Sequence, residues 1–477
     1  MPQVKLPISQ GLIKASDDIE YMSTTPVNML AVPKEVLNAS GYMRSYPGLT
    51  LYKDVKGISR GVQFNTARNT VFRVIGTTIY ENDEVFATLD LGAAVDVRVS
   101  MAHSDVSQAI AVGGTARLYR YDGTNKTLSA WPASSGYVTT GVGVVSDIVR
   151  NKGRYIWSQE GTQLFGVTDL EDESKPDRYR PFVRAESQPD GIVGLGTWKE
   201  YVIAFGSATI EYFELTGYTD GSQPVYQANP SLMIGKGIAG KFAKSPFMES
   251  FAILTGPSNG QPGVYVLGVG QLQKISTASI DRMIESYTAE QLKQVVMESY
   301  RFRGHEFLIV HLPDRTLCFD GSSTQNGPQW CLLQTGREYG PHRAIDYCFD
   351  GKKVTVADKL GDRWGLVDNS VSSQYGEQQE HVLFTPMLKA DNAFLFDMEL
   401  EASTGRTGLI ETILVSATQD GINYGPEYEV GRNVPLDYNR RVIKQKIGRV
   451  RKNIGFKFRC LATGPITLSD LSLRVEQ

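Results

Sequence analysis

Taken alone, the sequence predicts a mainly β protein. The expected architecture is an irregular six- or seven-bladed β-propeller, with an extended N-terminal arm before it and a C-terminal β-sandwich domain after it. Three observations predict this. A meander of short strands joined by tight turns recurs at intervals of roughly 40–55 residues, the period and strand content of propeller blades. The interval persists through the first three quarters of the chain and then breaks. Gly (47) and Tyr (23) are abundant, which favours many turns and strands over long helices. The division that follows is an arm over 1–50, a propeller over 51–371, a linker over 372–381 and a sandwich over 382–477.

The first 50 residues show little periodicity. Pro26, Pro33 and Pro47 punctuate them, with one helical turn expected at 34–38. Met29, Leu30, Tyr42 and Tyr46 argue for an ordered arm packed on another domain or subunit. The meanders then follow. The first is 59–63, 70–75 and 78–80. The second is 97–101, 108–112 and 116–121, closed by Asp122-Gly123. The third is 146–149, 154–158 and 163–168. The most regular is 191–196, 201–205 and 210–215, rich in Ile, Val, Tyr and Phe, with glycine at or beside the bends. After it come 240–242, 250–254 and 263–267, then 296–302, 306–311 and 316–320, extended by 329–334. The last, weaker unit is 343–349, 353–357 and 363–367, whose sheet is open to completion by a strand from elsewhere. One helix is expected at 289–297, opened by the capping box Thr288-Ala-Glu-Gln291. SSQYGEQQEH (372–381) is polar and linker-like. Strands resume at 382–389, 393–402, 411–417, 427–430, 441–447, 455–461 and 466–475, the content of a sandwich.

Composition excludes several functions. The chain carries 49 Lys and Arg against 52 Asp and Glu, a net charge of −3, so any contact with nucleic acid or an anionic membrane must come from a local patch. No apolar run approaches the ~18 residues of a membrane span, and MPQVKLPISQ has no signal-peptide core; no membrane insertion is expected. Four cysteines (318, 331, 348 and 460) lack the paired spacing of a zinc site. They read as buried reduced thiols in a chain made in a reducing cytosol. The five histidines show no metal-ligand spacing, and neither a metal nor a cofactor is expected.

Three motif lookalikes fail on inspection. Gly235-Lys-Gly-Ile-Ala-Gly240-Lys241 fits a phosphate-binding loop, but Phe242 stands where the magnesium-binding hydroxyl belongs. SSTQNGPQW (322–330) and SATQDGINY (416–424) approach the Asp-box turns of sialidase propellers but miss their spacing. Two charge features remain as candidate interface. DLEDESKPD (169–177) includes Asp169, Glu171, Asp172 and Glu173. YNRRVIKQKIGRVRKNIGFKFR (438–459) holds nine cations and no acid, among them Arg440, Arg441, Lys444, Lys446, Arg449, Arg451 and Lys452. Like charges at that density repel unless something opposes them. An acidic protein partner or a DNA backbone would serve, and the small net charge favours protein.

Several long, irregular stretches carry a resemblance. Among them are TPVNMLAVPKEVLNASGYMRSYPG (25–48), DLEDESKPDRY (169–179), RAESQPDGIVGLGTW (184–198) and FGSATIEYFELTG (205–217). NPSLMIGKGIAG (229–240), TASIDRMIESYTAEQL (277–292) and SSQYGEQQEHVLFTPMLKADNA (372–393) extend it through the chain. In these the sequence resembles the tail hub, or packaged-DNA stabilisation, proteins of short-tailed bacteriophages of the Salmonella-phage type. The resemblance implies a structural protein of the virion tail, assembled in the host cytoplasm, and no enzyme. It also implies a homo-oligomeric, hexameric ring below the portal-adaptor protein. That ring carries tailspikes and the tail needle, continues the channel through which DNA passes only as cargo, and takes part in genome ejection. The rival expectation is a glycan-binding or glycan-cleaving propeller acting on host surface polysaccharide.

Overall fold

The computed structural model describes residues 3–8, 25–32, 41–89, 97–113, 117–122, 124–125, 127–131, 143–170, 181–217, 223–257, 260–322, 329–337, 340–404, 412–432 and 434–476. The chain begins with β1 (Gln3–Pro7), β2 (Met29–Val32), β3 (Tyr42–Ser45) and β4 (Gly48–Asp54). Five meanders follow: β5–β8 (Ser59–Asn65, Thr70–Ile75, Thr78–Glu81, Glu84–Thr88), β9–β12 (Val99–His103, Ser107–Val112, Arg117–Asp122, Thr127–Trp131) and β13–β16 (Val145–Asn151, Arg154–Gln159, Leu164–Val167, Val183–Arg184); then β17–β20 (Ile192–Trp198, Tyr201–Gly206, Ile210–Leu215, Tyr226–Ala228) and β21–β24 (Lys244–Phe247, Ser250–Thr255, Gly263–Leu267, Leu272–Lys274). Helices α1 (Ala278–Glu285) and α2 (Ala289–Lys293) precede β25 (Val296–Phe302), β26–β28 (His305–His311, Thr316–Asp320, Trp330–Leu333) and β29–β31 (Ala344–Phe349, Val354–Asp358, Arg363–Asp368). The chain closes with β32–β35 (Gln379–Phe384, Leu388–Lys389, Phe394–Ala402, Thr412–Thr418) and β36–β39 (Tyr428–Arg432, Val442–Arg449, Asn453–Ala462, Thr467–Glu476).

Contacts divide the chain into two compact units. One is Met1–Lys53, Arg301–Arg343 and Gly365–Gln477; the other is Asp54–Tyr300 and Ala344–Trp364. The second unit holds the five meanders, each a four-stranded antiparallel sheet with its strands in chain order. Successive sheets bury apolar faces against one another, because a meander cannot cover both faces alone. Phe72 and Ile79 meet Val99 and Ile110, Ala109 meets Val145 and Trp157, Phe165 meets Leu195 and Phe213, and Phe205 and Tyr212 meet Ile253 and Tyr265. Each of the Val, Leu, Ile and Phe side chains among these contributes about 1.5–3 kcal/mol when fully buried.

The first strands of these meanders, together with β25 and β29, line one cavity of about 620 Å³. Side chains tie each of them to the next. Gln63 Nε2 donates to Met101 O (3.0 Å), Ser107 Oγ meets Tyr155 Oη (2.9 Å) and Leu195 N donates to Asp147 Oδ2 (2.9 Å). Trp198 Nε1 donates to Glu249 O (2.7 Å), Ser299 Oγ to Pro246 O and Tyr347 N to Glu298 Oε2 (2.7 Å). Ser59 Oγ, donating to Asp346 Oδ2, returns the circuit to β5. Irregular registers in β13 and β29 fall where Asp147 and Asp346 stand, as β-bulges that re-aim a side chain commonly do.

In the first unit, β2, β3, β39, β34 and β37 form a sheet in that order, with β1 paired to β39. The arm is thus built into the final domain. β32, β38, β35 and β36 make the facing sheet, with β33 beside β38. Between the two lies a core of Met29, Met43, Leu395, Met398, Phe456, Phe458, Leu471 and Leu473, among others. β31 has β4 as its neighbour, so a strand from the N-terminal stretch does complete the last meander.

The stretch 372–381 buries its polar side chains: Ser372, Ser373, Gln374, Gln379, Glu380 and His381 are all buried, and β32 starts at Gln379. Their polar groups are satisfied from afar, as when Gly336 N donates to Gln379 Oε1 (2.6 Å). The helix at 289–297 stops at Lys293, because Val296 belongs to β25. Its capping box is present, with Gln291 N donating to Thr288 Oγ1 (3.3 Å) and Thr288 N to Gln291 Oε1 (2.9 Å). α1 was not anticipated, although the Ile280 and Ile284 pair buried at helical spacing could have signalled it. The turn expected at 34–38 lies outside the described residues.

Asn28 ties the arm down. Its φ of 52° is a left-handed value that Asn tolerates. Its side chain donates to Glu380 O (2.9 Å) and accepts from Gln334 N (3.0 Å), while its carbonyl accepts from His381 Nδ1 (3.0 Å). Burial lowers the His381 pKa from 6.5 to about 4. The unfolded imidazole therefore takes up a proton at a higher pH than the folded one. Its contribution is full above pH 6.5 and is lost as pH falls towards 4. Urea midpoints should drop across this window, and His381→Gln should flatten the drop relative to wild type.

All four cysteines are buried and none is in a disulfide. Cys318 and Cys331 stand directly opposite each other in β27 and β28. Burial raises the Cys318 pKa and pushes that of Cys348 up to about 11. Iodoacetamide should label none of the four in the folded protein and all four after denaturation, read by mass spectrometry.

Candidate assembly interface

The basic stretch does not form one face. Residues 442–449 are β37, the last strand of its sheet, whereas 453–462 are β38, inside the other. The alternation expected in β38 is present: Phe456 and Phe458 are buried, while Lys457 and Arg459 stand half-exposed. Their charges are met by Glu427, which immediately precedes β36. Lys457 Nζ lies 3.4 Å from Glu427, and Arg459 Nε donates to the same carboxylate at 3.0 Å. Arg441 grips Glu399 with two bonds of 2.6 Å, which lowers the Glu399 pKa. Arg440 lies 3.7 Å from Asp437, and Lys444 sits 3.9 Å from the centre of the Tyr428 ring. Exposed pairs of this kind contribute about 0–1 kcal/mol, so they neutralise charge more than they stabilise.

Lys446, Arg449, Arg451 and Lys452 are different. All four are exposed, and none has a carboxylate partner among the described residues. Lys446 (φ 58°) and Ile447 face the single residue Phe396, where the β34–β37 register shifts. A bulge with cations on an outer strand also discourages another strand from adding there. Beside this stretch three apolar side chains stand in solvent: Tyr428 (48%), Leu436 (68%) and Tyr438 (68%). Exposed aromatics next to arginine are the composition of interface hot spots. Leu436 and Tyr428 were missed in the sequence because single exposed apolar residues leave no periodic signal. Of the acidic stretch, Asp169 is half-buried; Glu171, Asp172 and Glu173 lie outside the described residues.

The rival sites dissolve into structure. A glycan platform needs an open aromatic face. At Trp198, Lys199 Nζ lies 4.4 Å from the ring centre and Tyr201 stacks on it at 6.3 Å. In the phosphate-loop lookalike, a Cβ on Gly237 would stand 2.1 Å from Ser207 C, and one on Gly240 would stand 2.5 Å from Lys293 O. Close backbone approach therefore explains these glycines. Asp420 caps its own turn, accepting from Ile422 N and Asn423 N at 2.8 Å each, and those donors hold its pKa below the usual carboxylate range. Most of 322–330 lies outside the described residues. Among the described residues, no three His, Cys, Asp or Glu side chains group as metal ligands, and no helix is long and apolar enough to cross a membrane.

Comparison with known families decides the matter. The model described as bacteriophage P22 Gp10, beta-propeller, matches residues 4–372, and the one described as bacteriophage P22 Gp10, beta-sandwich, matches 380–476. The chain belongs to the phage P22 Gp10 family. Within it, the tail hub protein gp10 of Salmonella phage P22 is 50% identical over 476 residues, covering 100% of both chains. The P22 Gp10 family assignment makes this a structural tail hub protein of a phage virion, with a propeller followed by a sandwich, and no enzyme. Solved structures that match in part include U3-55K (TM-score 0.41, 8% identity, 68% of this chain and 99% of that one). The β-propeller domain of Myceliophteria thermophila Cps50 (Swd1) is another (TM-score 0.37, 8% identity, 67% and 98%). The assignment rests on the family models, not on these.

Proposed function

We propose that copies of this chain close into a ring, hexameric in the mature tail, below the portal-adaptor protein. The ring continues the DNA channel, gives tailspikes and tail needle their attachment, and helps to retain packaged DNA. The observation that carries this reading is the 50% identity, over the full length of both chains, to a tail hub protein. Other features support it. A ring of identical subunits needs heterologous contacts that close after a fixed rotation, and the unpaired cations Lys446, Arg449, Arg451 and Lys452 suit such a contact against acidic protein surface. The acidic stretch of Asp169, Glu171, Asp172 and Glu173 is the complementary charge in sequence. A net charge of −3 suits a channel wall past which DNA moves as cargo, because gripping duplex needs many cations. We assign the arm to 1–50, the propeller to 51–371, the connection to 372–381 and the sandwich to 382–477, with seven blades.

The test uses DNA-filled particles that lack the hub. Adding the purified protein should stop DNA leakage and place a ring below the adaptor in electron micrographs. Saturating binding with undiminished leakage would sink the retention role.

A further inference from the structure

β1 is held more lightly than the rest of its sheet. β39 takes β34 along one edge; along the other it takes β3 at Thr467 and Leu468, then β1 at 470–474. Among the described strands β1 has β39 as its one partner, through five residue pairs from Gln3 with Arg474 to Pro7 with Asp470. Side chains add little to that pairing. Val4 (37%) and Lys5 are exposed, and Lys5 Nζ lies 3.8 Å from Asp470. Of the side chains described in 3–8, only Ile8 (1%) enters the sandwich core. A strand held by main-chain hydrogen bonds and one apolar anchor opens at low cost, and the same bonds serve a strand arriving from another chain.

The covalent route from β1 to β2 is long for the distance it covers. β1 and β3 lie end to end along β39, Pro7 opposite Asp470 and Met43 opposite Leu468, and β3 carries β2 with Ser45 opposite Met29. Followed along that register, the path from Ile8 to Thr25 is at most about 25 Å, at 3.3 Å per residue. The sixteen residues 9–24 can extend to roughly 55 Å. The spare length gives β1 reach beyond its own β39. An uncovered β39 edge over 470–474 presents unpaired backbone groups, a template for a further strand. Exchange of an identical element replaces each contact by its copy, and passing β1 head to tail around a closed ring leaves no such edge open.

We propose that the assembled tail exchanges β1 between copies of this chain, each β1 adding to β39 of the next copy; this rests on the ring proposed for the chain. In the free subunit β1 stays on its own β39. Lys5 and Ser472 stand directly opposite each other, and the four native cysteines are buried. Lys5→Cys and Ser472→Cys, checked for folding by circular dichroism, therefore report the partner of β1 through a short bifunctional methanethiosulfonate. The doubly substituted chain should crosslink within itself when free, and between chains once assembled on hub-less, DNA-filled particles. An equal mixture of the two single variants should give dimers in assembled tails, at roughly one contact in four for randomly placed neighbours in a ring, and a many-fold smaller yield without particles. Gln3→Cys with Arg474→Cys, another opposed pair, repeats the measurement at the other end of the strand. Rings seen in micrographs whose doubly substituted chains crosslink only within themselves, with no dimers from the mixture, overturn the exchange and leave the ring standing. Wild-type tails without a ring overturn both.

Discussion

Reversing Arg449, Arg451 and Lys452 together to glutamate should leave the chain folded and abolish its ability to stop DNA leakage from hub-less particles. The three side chains are exposed, and surface changes of that kind usually alter stability by about 0.5 kcal/mol or less. At an interface the same reversal sets acid against acid and costs several kcal/mol, on the order of a hundredfold or more in assembly. Arg441→Glu is the informative control. It faces Glu399, so its repulsion falls inside the chain and should appear in urea midpoints before it appears in assembly. A folded triple variant that retains DNA as well as wild type would leave these cations only as a solvated, edge-blunting face.

Gly237→Ala should be the most damaging single methyl that the glycines of the phosphate-loop lookalike can accept. Its Cβ would meet Ser207 C at 2.1 Å, Ser207 O at 2.2 Å and Ala208 N at 2.4 Å. These are backbone atoms held by the β18–β19 turn, where Gly206 N donates to Thr209 O at 2.8 Å, so no side chain can swing aside. The expected loss is about 3 kcal/mol or more, read as a lowered urea midpoint. Gly235→Ala has nothing within 4 Å and should change stability by at most about 0.5 kcal/mol. A phosphate-gripping loop would put both glycines against a ligand; here the contrast between them comes from packing alone. A stable Gly237→Ala protein would contradict the close approach.

What the sequence made legible was local. The strand meanders and the Thr288–Gln291 capping box depend on residues within a few positions of one another, and they fall where expected except for the strand at 240–242, which lies instead at Lys244–Phe247. What it hid depends on partners far along the chain. SSQYGEQQEH looks like solvent-loving linker until Ser372 N finds Thr463 O (2.9 Å) and Gln374 Nε2 finds Gln334 O (3.3 Å). The basic stretch looks uniformly unpaired until Glu399 of β34 and Glu427, just before β36, are brought beside it. The tight turn at Met248 and Glu249, both at positive φ (48° and 61°), carries neither of the residues, Gly or Asn, that announce such turns. Packing between sheets tolerates it, and no local rule predicts it.

The pairing of β1 with β39 joins Gln3 to Arg474 and Pro7 to Asp470, nearly the full length of the chain. β1 has no partner strand until β39 has been made. β3 has β2 on one side and gains its other neighbour only from Thr467 and Leu468. The five meanders of the other unit draw on contiguous sequence and can condense meanwhile, as domains do when they fold in order of emergence. β39 lies between β3 and β34 and also holds β1, so removing it would split that sheet into two hairpin-sized pieces and strip β1 of its neighbour.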